Sequence, residues 1–144
     1  RFAKAASELS GRRGLPLAVL EGYADKGPVS RMLAALGEKE HVLFRELSYP
    51  ELAAVLESSF LVLGNDSGVS HLAGALGAPV VAVYGPTDPE VWGVRQARAR
   101  NLSPIVDCAP CGREAMQKCE EGKCLESVTV EMMLAAGEDL ISGA

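Results

Sequence analysis

Asp66, Ser67, Gly68 and His71 form the order D-S-G-x-x-H in the stretch LVLGNDSGVSHLAGALGAPVVAVYGPTDP, Leu61 to Pro89. Turn-forming and capping residues, Gly64 to Gly68, stand immediately before a change of period. Val69, Leu72, Ala73 and Leu76 then recur at i, i+3, i+4, i+7, one face of a helix. Such a junction suits an anion. The first N–H groups of a helix have no intrahelical acceptor, and the helix dipole favours negative charge there. Gly68 puts no side chain between a phosphate and the backbone. Ser67 can cap the helix or donate its hydroxyl. Asp66 would repel a phosphate, so its favourable partners are sugar hydroxyls or the helix end itself. His71 lies about 150° from the centre of the apolar stripe, at 100° per residue, and can donate to a pyrophosphate oxygen or a sugar hydroxyl. The same spacing also fits a plain helix cap and a solvent-facing histidine.

The elements that must carry these residues read as a βαβ unit. Phe60 to Leu63 is apolar throughout, as in a strand buried on both faces. Gly77 suits the position after the helix, Pro79 forbids its continuation, and Val80 to Tyr84 is the next strand. Thr87 and Asp88 follow that strand's carboxyl end, where they can face the same ligand or brace a proline turn. Earlier in the chain, Arg1 to Ser10 is predicted to be a helix ended by Gly11 and Gly14, and Leu15 to Leu20 a strand. The loop Glu21 to Pro28 follows, with Glu21 and Asp25 as its acidic residues. A helix is expected over Val29 to Leu36, and a strand over Val42 to Phe44. Ser48-Tyr49-Pro50-Glu51 is a capping box that opens a helix to Ser58. Thr129 caps a last helix over Val130 to Ile141. Strand and helix thus alternate four times. The fold class this predicts is α/β, a Rossmann-like parallel sheet flanked by helices, as one domain over residues 1–144.

Three motifs carry a resemblance. G-N-D-S-G-V-S-H-L-A (Gly64 to Ala73), G-A-P (Gly77 to Pro79) and Y-G-P-T-D-P (Tyr84 to Pro89) look like the signature of glycosyltransferase family 9, the heptosyltransferases of lipopolysaccharide core assembly. The resemblance implies one lobe of a GT-B fold: the domain that binds a nucleotide-sugar donor, ADP-heptose, in an enzyme whose other domain binds the lipopolysaccharide acceptor. It implies donor contacts from Asp66, Ser67, Gly68 and His71, an acidic residue near the ribose (Asp25 or Glu21), and adenine against the Leu47-Ser48 turn. It also implies that the catalytic base lies in the other domain, with none here, and that transfer needs no cofactor. The expected location is the cytoplasm, peripheral at the inner membrane. A GT-B domain using a UDP-sugar and a non-catalytic cysteine-rich interaction module are the competing readings.

Composition narrows the classes. The 144 residues carry a formal net charge of −5 with no Lys/Arg-rich run, which argues against nucleic acid as partner. No apolar run approaches about 18 residues, so no membrane span is expected. The chain opens at Arg1, already inside a helical pattern and without a signal peptide, and reads as a piece of a larger protein. Cys108, Cys111, Cys119 and Cys124 follow C-x2-C-x7-C-x4-C. Four thiols so close in sequence suit a tetrahedral structural zinc, although the second pair lacks the tight knuckle spacing. Disulfides and free thiols are the alternatives.

Overall fold

The computed structural model describes residues 1–120 and 122–142. Helix α1 (Phe2–Arg13) leads into strand β1 (Leu17–Glu21), α2 (Lys26–Leu36), β2 (His41–Arg45) and α3 (Tyr49–Glu57). Strand β3 (Val62–Asn65), α4 (Gly68–Ala75) and β4 (Val80–Val83) form the central βαβ unit. The short α5 (Pro89–Trp92), β5 (Ala99–Leu102), α6 (Arg113–Lys118), α7 (Lys123–Ser127) and α8 (Val130–Ile141) complete the order. All strand pairs are parallel, and they form two ladders, β1-β2 and β3-β4-β5. The predicted α/β, Rossmann-like architecture is present. The single four-stranded run becomes two ladders and gains a fifth strand.

Strand β5 escaped the sequence because its residues are Ala99, Arg100, Asn101 and Leu102, which give no apolar run. It is an edge strand, and its polar side chains fasten it to neighbours. The Asn101 side chain accepts from the Val94 N–H at 3.1 Å and donates to the Val94 carbonyl at 3.2 Å. The Arg100 Nε–H donates to Asp139 of α8 at 2.6 Å.

Strand β4 organises the core. All four of its residues are buried, and alternation sends them to opposite faces. Val80, Ala82 and the following Tyr84 pack with Leu56, Ala73 and Val94 on the α3/α4 side. Val81 packs with Leu9, Ala136, Leu140 and Ile141, and Val83 with Ala5, Val128 and Met133, on the α1/α8 side. Each fully buried valine is worth roughly 1.5–3 kcal/mol relative to exposure, so this strand contributes far more than its length suggests.

Two helix boundaries move, and one helix turns its buried face. Helix α1 passes through Gly11 to Arg13 and stops at Gly14, whose φ of 64° is left-handed and whose N–H reaches the Ser10 carbonyl. Helix α2 begins at Lys26, so the predicted loop over Glu21 to Pro28 is shorter; Pro28 sits in the first turn, where its missing N–H costs nothing. The buried face of α4 is also rotated. Its buried residues are Ser70, Ala73 and Gly74, while Val69 is 36% exposed. The reason is close approach. A Cβ on Gly64 would run into the Ser70 hydroxyl, and one on Gly74 into Val94. A leucine would not fit at position 70. A serine does, because its hydroxyl donates to the Asn65 carbonyl at 2.6 Å. Helices α3 and α8 start where the sequence places them. Ser48 donates its N–H and its hydroxyl to Glu51, at 2.8 and 2.5 Å, and Thr129 accepts from Met132.

Candidate functional site

The carboxyl end of β3, the first turn of α4 and the loop after β4 meet at one point. The Asp66 N–H continues the parallel ladder, donating to the Val83 carbonyl at 3.0 Å. This fixes the backbone from which its carboxylate emerges. Thr87 then donates its hydroxyl to Asp66 Oδ2 at 2.7 Å, and His71 Nε2 stands 3.8 Å from Asp66 Oδ1. The two side chains differ in access: Asp66 is 26% exposed and His71 44%. The site therefore holds a partly sheltered carboxylate, braced on one oxygen, beside an imidazole open to solvent. The link between Asp66 and Thr87 spans 21 residues and was not visible in the sequence.

Ser67 is the N-cap of α4, with extended backbone, and its Oγ accepts from the Ser70 N–H at 3.4 Å. That bond is long, so the cap is weakly held and the Ser67 hydroxyl can turn to another partner. A Cβ placed on Gly68 would meet nothing within 4 Å. The space beside Gly68 is open, and the first N–H groups of a helix have no intrahelical acceptor. Asp66, Ser67, Gly68, His71 and Thr87 are thus brought together.

The remaining candidates stand nearby in different circumstances. The Asp88 carboxylate accepts from the Glu90 N–H at 2.8 Å and caps α5; with Thr87 it lines a cavity of about 280 Å³. Asp25 lies beyond the carboxyl end of β1, where it accepts from the Gly22 N–H at 3.2 Å and closes its own loop. Leu47 is half-buried and Ser48 exposed beyond the carboxyl end of β2, directly after Glu46, whose φ of 51° is left-handed. Asp25, Leu47 and Ser48 share the strands' carboxyl edge, with no bond joining them to Asp66. Glu51 is held below the usual carboxylate range, first by the Ser48 hydroxyl and then by the Ser48 backbone N–H.

Two side chains that lie within the quoted motifs, but were given no role there, support this cluster. Ser70, 1% exposed, ties α4 to the end of β3. Tyr84 is fully buried and donates its hydroxyl to the Trp92 carbonyl at 3.1 Å; burial raises its phenol, and the charge of Asp66 acts in the same direction. Period counting passes over both, since one is a polar residue in a core and the other an aromatic at a strand end.

The four cysteines stand in different surroundings. Cys108 and Cys119 are exposed, Cys111 is intermediate and Cys124 is buried, all as free thiols. Among the described residues no three His, Cys, Asp or Glu side chains stand where they would hold one ion. Desolvation pushes the Cys111 thiol up, and the Cys108, Cys124 and Cys119 thiols push it the same way. The segment is instead tied to the loop after β4: the Cys111 N–H donates to the Pro86 carbonyl at 2.7 Å. No helix among the described residues is long and apolar enough to cross a membrane.

Several known proteins are similar to this chain. The chain is 35% identical over 88 residues to lipopolysaccharide heptosyltransferase 1 of Pseudomonas aeruginosa, covering 61% of this chain and 24% of that one. It is 36% identical over 85 residues to lipopolysaccharide heptosyltransferase 1 of Salmonella typhimurium, covering 59% and 26%. The crystal structure of the glycosyl transferase family 9 from Veillonella parvula superposes with a TM-score of 0.84 at 27% identity, over 99% of this chain and 41% of that chain. The structure of Escherichia coli ADP-heptose lps heptosyltransferase II has a TM-score of 0.76 at 23% identity, a likeness of fold. The chain therefore spans about a quarter of the curated relatives and two-fifths of the solved chains. Together these likenesses identify the Rossmann-like architecture as a lobe of the GT-B kind. Residues 2–123 match the family described as glycosyltransferase family 9 (heptosyltransferase), to which this chain belongs.

Proposed function

We propose that this chain is the donor-binding part of a two-domain glycosyltransferase that moves heptose from ADP-heptose to a lipopolysaccharide core acceptor. The observation that carries the reading is the open N-terminus of α4 at Gly68, flanked by the Asp66, Thr87 and His71 cluster. The first N–H groups of α4 and the Ser67 hydroxyl receive the diphosphate. As the sugar–oxygen bond breaks, negative charge grows on the leaving nucleoside diphosphate, and preorganised N–H donors stabilise that charge more in the transition state than in the ground state. His71 adds a donor to the phosphate. Asp66, held by Thr87, accepts from sugar hydroxyls. Asp25 and the Leu47-Ser48 turn receive the nucleoside on the same sheet edge. The acceptor hydroxyl loses its proton to a base supplied by the rest of the protein, which works in the cytoplasm at the inner membrane's surface.

Calorimetric titration with ADP, UDP and ADP-heptose tests this reading. The chain should bind ADP and ADP-heptose and prefer them to UDP. Gly68→Val should fold, because the new side chain meets open space. It should lose ADP affinity by tenfold or more, because that space is where the phosphate lies. Unaltered ADP affinity in this variant would sink the assignment, and a preference for UDP would move the chain to a different donor.

A further inference from the structure

The long connection between β5 and α8, residues 103–129, has little apolar core of its own. It holds two short helices, α6 and α7, of six and five residues. Among its described residues only Cys124 and Val128 are buried apolar side chains, while Ile105 is 76% exposed, Met116 44% and Leu125 42%. A connection this long with so small a core needs another source of order. All four cysteines of the chain lie in it.

Bonds within the connection gather the thiols. The Ile105 N–H donates to the Ser127 hydroxyl at 3.0 Å, and that hydroxyl donates to the Cys124 carbonyl at 2.8 Å, so the two ends of the connection are stapled together. The Cys111 thiol turns back across the C-x2-C turn and donates to the Cys108 carbonyl at 2.9 Å. Cys111 and Cys124 flank one loop, the loop after β4. The Cys111 N–H donates to the Pro86 carbonyl at 2.7 Å, and a Cβ on Gly85 would stand 3.6 Å from Cys124 Sγ. Cys108, Cys124 and Cys119 each act on the charge of Cys111, as only near neighbours do. As thiols the four do not surround one point. Cys111 and Cys124 are anchored, but Cys108 and Cys119 are exposed and lie outside helices and strands, so they are free to close on the other two.

We propose that the four cysteines close as thiolates around one Zn²⁺ ion, which holds the connection against the loop Gly85 to Thr87. Zn²⁺ accepts four thiolates in a tetrahedron and needs no open position in a structural site. Binding releases the four thiol protons, and Cys111 gives up its bond to the Cys108 carbonyl. Lys118 and Lys123 directly precede Cys119 and Cys124, and put positive charge beside the anionic cluster. The ion supplies the order that the small core does not. The site needs no nucleotide; only its bearing on the donor, through Thr87 and Asp66, rests on the donor-site reading.

The test titrates the reduced, chelator-stripped chain with Co²⁺ and then with Zn²⁺. Co²⁺ should give a thiolate-to-metal charge-transfer band that saturates at about one ion per chain, and Zn²⁺ should displace it. Cys108→Ser and Cys119→Ser, at exposed positions, should fold and should each weaken Zn²⁺ binding by roughly tenfold or more. Hydrogen exchange of the Cys111 amide, bonded to Pro86, should slow by roughly tenfold when Zn²⁺ is added. The absence of a charge-transfer band, unaltered Zn²⁺ affinity in both serine variants, or Cys111 exchange that ignores Zn²⁺ would each overturn the proposal. Titration of the zinc-loaded chain with ADP keeps the two readings apart. A chain that takes up the metal and not ADP loses the donor reading and keeps this site.

Discussion

Asp66 accepts the Thr87 hydroxyl on one oxygen and faces His71 with the other, so a single substitution there has separable consequences. Asp66→Asn keeps an oxygen for Thr87 and should leave the fold intact. It loses the charge that sugar hydroxyls would donate to, and should weaken ADP-heptose binding much more than ADP binding. His71→Ala should weaken both ligands, by roughly tenfold, the effect of a charge-assisted hydrogen bond of about 1.5–3 kcal/mol. Calorimetry with the two ligands measures the split. Small, equal changes for both variants would mean that the cluster is only a helix cap with a surface histidine. That Asp66, Ser67, Gly68 and His71 lie near one another was legible in the sequence, because a turn followed by one helical turn fixes their relation locally. Thr87 as a partner of Asp66 was not, since the bond depends on strand β4 returning beside β3.

At the scale of the element, α4 shows how a site is held by what is missing. Gly64 and Gly74 let the helix lie on β3 and against Val94, and Ser70 satisfies its own buried hydroxyl with the Asn65 carbonyl. The helical period placed Val69, Leu72, Ala73 and Leu76 inward; the observed face is turned toward the small residues. A period count scores hydrophobicity and is blind to interaxial distance, which here is set by glycines. A double-mutant cycle follows. Gly64→Ala should destabilise by about 1–3 kcal/mol, since the new methyl meets the Ser70 hydroxyl. Ser70→Ala should cost about 1 kcal/mol for the lost hydrogen bond. With both changes the hydroxyl is gone, and the nearest remaining atom, Ser70 Cβ, lies 3.7 Å away, an ordinary contact. The double variant should therefore be more stable than the sum of the two losses predicts, by urea denaturation. Simple additivity would show that the close approach is not what fixes α4.

At the largest scale, the described residues form two ladders with no hydrogen bonds between them, and helices couple them. Helix α1 is one such coupling: Ala3 joins the cluster with Val19, Val29 and Leu36, while Ala5 and Leu9 join those with Val83, Met133 and Leu140. Its last turn is fastened to α8 by charge. Arg13 and Arg12 donate to Glu138 at 3.1 and 3.3 Å, and Arg12 also pairs with Glu8. No local pattern of residues points to this link, because the partners are 125 and 126 residues apart. Glu138 is held below its ordinary value of 4.5, chiefly by the Arg13 hydrogen bond, with Arg12 adding to it. A depressed carboxyl pKa means that the unfolded chain binds the proton more readily than the folded one. The contribution to stability is therefore present above about pH 4.5 and is lost as pH falls through the folded value. Glu51 and Glu131 are shifted the same way and steepen the acid limb together. Glu138→Gln isolates one of the three. Its melting temperature should lie below that of the unsubstituted chain at pH 7, by a small amount because exposed ion pairs contribute little. The difference should shrink below pH 4 and in 1 M salt, where screening weakens the pair. A difference that stays constant from pH 7 to pH 3 would mean that Glu138 acts by packing alone, and that the apolar faces of α1 couple the two ladders without help from charge.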